Sequence, residues 1–418
     1  AVNTPNAQYQ LMRERWETMN DVCEGAPAIK LHPYKYLPYT QCDDDGKRFI
    51  QYAKRAVFYE TTKDTLQSHV GLAFSEDPSF EPDGMDFLKS NADGAGKSIY
   101  QLNQLALVGL LKHGRGGYLV DHPSVESGIS KAQAETMGLR PVIVHYDALS
   151  IINWRVKKVG GEYRLSLVVL HEIENIVDPQ DEFQEKAVNV YRVLRLDENN
   201  RYSVQVYSDK TGELIGSELI YPTRQGGNWD IIPFIFLGSQ VNDSNIHDIP
   251  LEPLANINLA HYRNSAEYEE SVFVCGEVQP VINELSEEWR NHLEENGVML
   301  GSRTILLLPQ GSNFEFVQAQ PNSIAKEAMD AKMDYMQASG AKVLDRTIAN
   351  KTATQVDDER STKNSVLSLC VSNLNEAMEY CLKWCADFYG AGYDAKFTIK
   401  QDFAKGLISL EELKFYNE

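Results

Sequence analysis

Two glycine-rich stretches and nine histidines are where chemistry would be sought in this chain. Asp93-Gly94-Ala95-Gly96-Lys97-Ser98 ends in the Gly-Lys-Ser of a phosphate-binding loop, in which backbone N–H groups and the lysine surround a nucleotide phosphate. The frame fails, because such a loop needs glycine five residues before Gly96, where Asn91 stands, and an apolar strand in front of it. The stretch is expected to turn the chain and cap the next helix. His113-Gly114-Arg115-Gly116-Gly117 could hold an anion in its N–H groups, but glycines between a helix and a strand are expected simply to turn the chain. The histidines lack HExxH and facial-triad spacing, and His122, His171 and His247 each stand near an acid without a nucleophile in a recognised elbow. Acidic clusters such as Glu267-Glu269-Glu270 and Asp178/Asp181/Glu182 read as solvated faces. The six cysteines are scattered without a CxxC pair, and Cys381 and Cys385, four apart, read as thiols in a helical core. The residues therefore predict no catalytic constellation, no metal site and no cofactor.

The elements that would have to position a site change character along the chain. Residues 1–117 read as helical: Thr4-Pro5 as an N-cap with proline at the first helical position, Met12, Trp16, Met19 and Cys23 on one face, and an end near Gly25. A Tyr- and Pro-rich connection, His32 to Tyr39, and the acidic turn Asp43 to Gly46 lead to helices expected over Lys47–Tyr59, Thr61–Phe74 and Ser98–His113. Residues 118–248 read as a mostly antiparallel β lobe with strands over Val142–Tyr146, Ile151–Val156, Tyr163–Leu170, Val188–Leu196, Tyr202–Ser208 and Leu214–Tyr221. A helix then begins at about Ile249 and runs to Phe273, with Pro250 and Pro253 in its first turn. Asn256, Asn258, His261, Arg263, Asn264, Glu267, Glu269 and Glu270 leave it no wide apolar stripe, so packing against copies of itself is expected rather than packing in its own subunit. An insert follows, with a helix Glu284–Asn296 and strands Ser302–Leu308 and Phe314–Val317. After it come a helix Ser323–Ser339, a loop Gly340–Thr352 and a long helix Thr354–Tyr389. That last helix steps by three or four through Val366, Cys370, Leu374, Ala377, Cys381, Trp384 and Phe388. Thr354 is its expected cap, Asp357, Asp358 and Glu359 suit its first turn, and Gly390 stops it. The fold class predicted is α+β.

A length of 418 residues implies two or three cores or one elongated, multi-lobed subunit. Hydrophobic residues at 43% and charged residues at 24% exclude general disorder. Apolar runs such as Ile231–Leu237 and Ile305–Leu308 fall far short of the roughly 20 residues that span a bilayer, so no membrane is expected. Ala1 to Asn6 lack the features of a secretory leader, which predicts synthesis in the cytosol. A net charge of −20 excludes a conventional DNA-binding protein, which needs a basic footprint on phosphate. It does not exclude a protein past which DNA slides without adhering.

Arg55-Ala56-Val57-Phe58-Tyr59, Asp93-Gly94-Ala95-Gly96, Ile151-Ile152-Asn153-Trp154-Arg155 and, above all, Ala260 to Glu269 stand in an order and spacing that resemble tailed-bacteriophage portal proteins, in a branch long catalogued as an uncharacterised domain. The likeness runs nearly end to end. It implies the portal fold, with a wing at 1–117 (helical) and 118–248 (β-rich), stem helices at 249–274 and 321–340, and a small α/β clip at 275–320. A tunnel loop would follow at 341–353, a long wing helix at 354–390, and the start of a C-terminal crown at 391–418. Portals usually carry a fuller helical crown than the residues after Leu407-Ile408-Ser409 supply. The resemblance further implies a ring of about twelve copies at one capsid vertex of the virion, a heterologous arrangement that closes on itself. Double-stranded DNA would pass through it without sequence specificity, and major capsid or scaffold protein would surround it. The terminase large subunit, which hydrolyses the ATP, would dock on the clip, followed by a head-completion adaptor. Candidate clip contacts are Glu287, Glu288, Trp289, Arg290 and Asn291, with Trp289 in the insert's own core as the alternative. Candidate stem contacts around the ring are His261, Arg263, Asn264, Glu267 and Glu270. The candidate tunnel-loop residues Lys342, Arg346, Asn350 and Lys351 are locally basic and suited to transient phosphate contact, or are ordinary loop charges. Two rivals stay open: an enzyme holding a phosphorylated ligand at Gly94–Ser98 or His113–Gly117, and another acidic capsid or tail assembly protein.

Overall fold

The computed structural model describes residues 1–39, 46–122, 137–178, 180–210, 213–224, 227–297, 307–319, 323–344, 366–390, 392 and 394–401. It is a mixed α+β fold in two compact units. One comprises 1–28, 60–257 and 335–418, the other 29–59 and 258–334.

The first unit opens with helix α1 (Ala7–Glu24), which buries Tyr9, Met12, Trp16, Met19, Val22 and Cys23 along one stripe. Its cap is Asn6, whose side chain accepts the Gln8 N–H at 2.9 Å, so the expected start at Thr4-Pro5 is corrected. The backbone N–H of Asn6 is drawn onto Ile152 O at 2.8 Å, which keeps the preceding residues out of the helix. Short helices α2 (Ala26–Leu31) and α3 (Pro33–Tyr36) occupy the Tyr- and Pro-rich connection, followed by α4 (Lys47–Arg55) and α5 (Thr61–Ala73). A short strand β1 (Ser79–Glu81) precedes α6 (Ile99–His113). Helix α6 starts in a full capping box: Gln101 N–H donates to Ser98 Oγ at 3.2 Å and Ser98 N–H to Gln101 Oε1 at 3.1 Å.

The β-rich part contains β2 (Arg115–Asp121), β3 (Val142–Asp147), β4 (Ile151–Val159), β5 (Glu162–Asp178), β6 (Asp181–Leu196), β7 (Tyr202–Ser208), β8 (Ile215–Gly216), β9 (Thr223–Arg224), β10 (Gly227–Asn228) and β11 (Phe234–Gly238). Strands β11-β2-β3 form one antiparallel sheet and β4-β5-β6-β7-β8 a five-stranded antiparallel meander. Two differences from the sequence reading matter. Strand β5 runs on past Leu170 to Asp178, and β6 starts at Asp181 rather than Val188, because the two pair continuously with each other beyond the edge of the sheet. The strand expected over Leu214–Tyr221 shrinks to β8 and an isolated bridge at Ile220.

Later in the chain come α7 (Glu252–Gly276), β12 (Gln279–Asn283), α8 (Glu287–Asn296), β13 (Asn313–Val317), α9 (Ile324–Leu344), α10 (Val366–Tyr389) and β14 (Lys396–Thr398). Helix α10 is the spine of the first unit, burying Leu367, Cys370, Val371, Leu374, Ala377, Met378, Cys381, Leu382, Cys385 and Ala386 against α6, β2 and β11. Burial pushes the Cys381 and Cys385 thiols far up, which suits inert core residues. β14 pairs with β1, tying the segment after α10 back to the early chain.

Candidate functional site

The second unit is built on α7 from Asn258 onward. Its inner stripe is Asn258, Leu259, Tyr262, Ser265 and Ala266, with His261 beside it at 2% exposure. The segment Ala56–Tyr59, expected to be helical, instead runs extended, and its backbone is satisfied by α7 side chains. Val57 N–H donates to Ser265 Oγ at 2.8 Å, and Asn258 Nδ2 donates to Tyr59 O at 2.9 Å. Phe58 meets Tyr262 edge-on at 5.6 Å, and the Tyr59 ring lies 4.5 Å from His261. Two of the sequence phrases carrying the family resemblance, Arg55–Tyr59 and Ala260–Glu269, are thus packed on each other. The expectation that polar residues exclude α7 from its own subunit's packing is corrected for this half of the helix. Asn258 and Ser265 are inside because the extended segment supplies their hydrogen-bond partners.

The candidate stem residues divide accordingly. Burial pushes the His261 imidazole below its usual range, and Lys332 adds to the effect. Arg263 is exposed and its Nε donates to Tyr36 O at 3.1 Å. Asn264 Oδ1 accepts from Lys332 Nζ at 2.6 Å, while Asn264 Nδ2 donates to Glu267, which is exposed. Glu270 is ion-paired with Arg55, whose guanidinium also stacks 4.3 Å over Phe273.

From Gly276 the chain makes an excursion and returns. Strands β12 and β13 pair antiparallel from Gln279↔Val317 to Asn283↔Asn313, and Gln318 Nε2 donates to Cys275 O at 2.7 Å, joining the end of α7 to the approach to α9. Farther back, Lys332 reaches Asn264, so α9 returns antiparallel along α7. Strand β12 is an addition to the sequence reading, and the strand expected over Ser302–Leu308 begins outside the described residues. Helix α8 is capped by Ser286, whose Oγ accepts the Trp289 N–H at 3.4 Å. Glu287, Glu288, Arg290 and Asn291 are exposed. Trp289 is half-buried with its ring edge-on to His292 at 5.6 Å, and α8 has no buried residue. Between Ala266 and Met336 none of the described residues is buried. Val272, Phe273, Val274, Val278, Phe316 and Val317 stand exposed there.

Helix α9 passes through Gly340 to Leu344, so the loop expected from Gly340 begins later and the backbone of Lys342 is helical. Arg346, Asn350 and Lys351 lie outside the described residues, as do Thr354, Asp357, Asp358 and Glu359 at the expected start of the long helix.

Neither glycine-rich stretch is an anion cradle. Asp93 Oδ1 accepts the Ala95 and Lys97 N–H groups at 2.8 and 3.0 Å, its Oδ2 takes Lys97 Nζ at 2.8 Å, and Gly96 N–H donates to Asn91 Oδ1 at 2.9 Å. The loop's donors are spent on its own side chains. Gly114 ends α6 at φ 68°, and a Cβ there would lie 2.6 Å from Asp248 O. Gly116 and Gly117 sit in the central strand β2, where a Cβ on Gly117 would meet the Phe234 ring at 2.3 Å. Arg115 is buried between the Trp154 and Phe236 rings at 4.3 and 4.1 Å, and its Nη1 donates to Asn245 O at 2.8 Å. Sheet pairing and loop side chains thus take up backbone N–H groups that a phosphate ligand would need in these two stretches, while Arg115 Nε and Nη2 have no hydrogen-bond partner.

Three histidines the sequence singled out have structural partners. His122 stacks on Phe388 at 5.4 Å, His171 Nε2 meets Asn189 Oδ1 at 3.0 Å, and His247 Nε2 meets Asp243 Oδ1 at 2.9 Å. Among the described residues no group of three or more His, Cys, Asp or Glu side chains could hold a metal ion. Among them too, no helix is long and apolar enough to cross a membrane.

The family model for a domain of unknown function, DUF4055, matches residues 250–389, from the entry into α7 to the end of α10. No curated protein sequence matches the chain. Among solved structures, the fold is similar to a chain in the virion of a native gene transfer agent particle, at 12% identity and a TM-score of 0.42, covering 85% of this chain and 83% of that one. It is also similar to a chain in the neck of the native particle computed with C12 symmetry, at 12% identity and 0.42, covering 85% and 89%. A chain in the neck of the empty particle computed with C6 symmetry matches at 13% identity and 0.41, covering 91% and 94%.

Proposed function

We propose that this chain is a tailed-phage portal protein, a subunit of a ring of about twelve copies at one capsid vertex through which double-stranded DNA is packaged and ejected. The observation that carries the reading is the excursion between Ala266 and Met336, none of whose described residues is buried. Its helices and strands expose Phe273, Val274, Phe316 and Val317 to solvent in a single chain. A lobe of this size normally buries a core of its own, and one that does not is completed by neighbours. Copies repeated around a ring would supply them. The order of helix out, paired strands with a short helix, and helix back is also what the portal resemblance implies for stem, clip and stem.

In this reading Glu287, Glu288, Trp289, Arg290 and Asn291 meet the terminase large subunit during packaging and the head-completion adaptor afterwards. Arg263, Asn264, Glu267 and Glu270 lie along the ring interface, while His261 holds α7 against Tyr59. Lys342, Arg346, Asn350 and Lys351 touch DNA phosphates transiently, without reading bases. The excess of negative charge keeps the DNA from adhering to the wall. The protein does no chemistry and needs no cofactor; ATP is hydrolysed by the terminase. It resides in the virion, against major capsid or scaffold protein.

Negative-stain electron microscopy and mass photometry of the purified protein test this. Closed rings of about twelve with a central hole are expected. A compact monomer or dimer, persisting at high concentration and varied salt, would overturn the proposal, and a filament or another closed symmetry would move the chain to a different capsid or tail role.

A further inference from the structure

The β5–β6 hairpin projects beyond its sheet. β4 supports β5 only as far as Leu170, and β7 supports β6 only from Val190, with Asp209 and Lys210 bracing Asn189 and Glu174 at the root. Beyond that root the two strands pair only with each other, and no described residue from 171 to 187 is buried. The arm is about 25 Å long at roughly 3.4 Å per residue. Its cross-strand register puts Ile173, Val177 and Ala187 on one face together with Asn175 and Glu185, and Phe183 stands out from the irregular stretch near the turn, 89% exposed. Toward the tip stand Asp178, Asp181, Glu182 and Glu185, against Lys186. A two-stranded ribbon that leaves Ile173, Val177 and Phe183 bare is marginal in water, so these side chains call for a cover.

The chain carries a surface of matching chemistry. Residues 29–59 contain six Lys and Arg against three Asp, in a protein whose net charge is −20. On α4, Lys47, Arg48, Ile50, Gln51 and Lys54 are exposed, and Arg48 and Lys54 have no carboxylate partner among the described residues. Beside α4, Tyr34 stacks on Phe49 at 4.6 Å yet remains 60% exposed, and Leu31 is 75% exposed. An apolar patch with a basic rim complements an apolar arm with an acidic rim, and a contact between such dissimilar patches is the heterologous kind that closes rings.

We infer that the acidic arm of one copy docks on the basic, apolar surface around α4 of a second copy of this chain. The inference deepens the proposed ring and rests on its self-association. It also answers how subunits of charge −20 associate at all: the contact places the acidic arm where repulsion is least.

Charge exchange tests it, with assembly read by mass photometry at low salt and folding by circular dichroism. Glu182→Lys with Glu185→Lys, and separately Arg48→Glu with Lys54→Glu, are each expected to lower the assembled fraction about tenfold, and combining all four to restore most of it. Replacing residues 175–187 with a two-residue Asn-Gly turn is expected to leave the subunit folded and abolish assembly. Wild-type protein that assembles while both charge variants assemble equally well would overturn the arm contact and leave the ring standing. Loss in both without recovery on combination would also overturn it. Retained assembly together with loss of binding to a duplex DNA probe in Arg48→Glu/Lys54→Glu would assign the basic surface to nucleic acid instead. Wild-type protein that never assembles would remove the ring itself.

Discussion

The first unit and the excursion from Ala266 to Met336 are made of similar residues and differ in what those residues face. In the first unit Trp16, Trp229, Tyr118 and the inner face of α10 are fully buried, and Trp16 Nε1 donates to His113 O at 3.0 Å. In the excursion, the outer part of α7, α8 and the start of α9 are well-formed helices and β12–β13 a regular ladder, yet between Ala266 and Met336 none of the described residues is buried. Local hydrogen bonding and capping suffice to write secondary structure. Burial alone supplies most of the stability of a fold, and the described residues of the excursion lack it within one chain. The lesson is that an element's regularity says little about whether its partner is in the same molecule.

The largest effect is expected in the first unit. Trp16→Ala removes a fully buried ring and strands the His113 carbonyl, and should cost about 3–5 kcal/mol in urea unfolding of the isolated subunit. A loss below about 1 kcal/mol would break the contrast by making this core dispensable.

Next is pH. His113 is buried and His145 half-buried in the first unit, and desolvation holds both imidazoles well below their ordinary 6.5, His145 at about 4. Lys112 reinforces the shift in each. The unfolded chain takes up these protons near pH 6.5 and the folded one only near 4 or below. Unfolding therefore binds protons in that window, so the stability, complete above pH 6.5, should fall as pH drops from 6.5 toward 4. His145→Asn should flatten the slope of unfolding midpoint against pH; an unchanged slope would count against the neutral pair.

Ser98→Ala removes half of the α6 capping box and should cost about 1 kcal/mol by the same measurement. The smallest effect on the isolated subunit is expected at the exposed Phe316, where Phe316→Ser should shift unfolding by no more than about 0.5 kcal/mol. The same substitution should lower the assembled fraction in mass photometry. A large loss of subunit stability with assembly untouched would reverse the comparison.

Much of this was legible in the chain. The three- and four-residue steps of Val366 to Phe388 announced a buried helix, Ser98 announced the cap of another, and the failed frame at Asn91 argued against a phosphate loop before Asp93 was seen to consume the loop's donors. Other features were not. The strands expected to stop at Leu170 and start at Val188 continue to a turn at Asp178–Asp181, because pairing between them carries on where apolar alternation no longer does. The polar face of α7 suggested a helix with no partner in its own chain, and the partner turned out to be the extended backbone of Ala56–Tyr59. Arg115 looked like part of an anion loop and lies between two aromatic rings.

By itself the sequence determined the α+β class, the helices with strong periodicity and caps, and a net charge of −20. These follow from nearest neighbours along the chain and from sums over it. Only the tertiary structure decided which polar residues are satisfied inside, which strands outrun their sheet, and which regular elements have no buried residue among those described. Each of those depends on groups far apart in sequence that must meet to share a hydrogen bond or exclude water, and periodicity carries no record of such meetings.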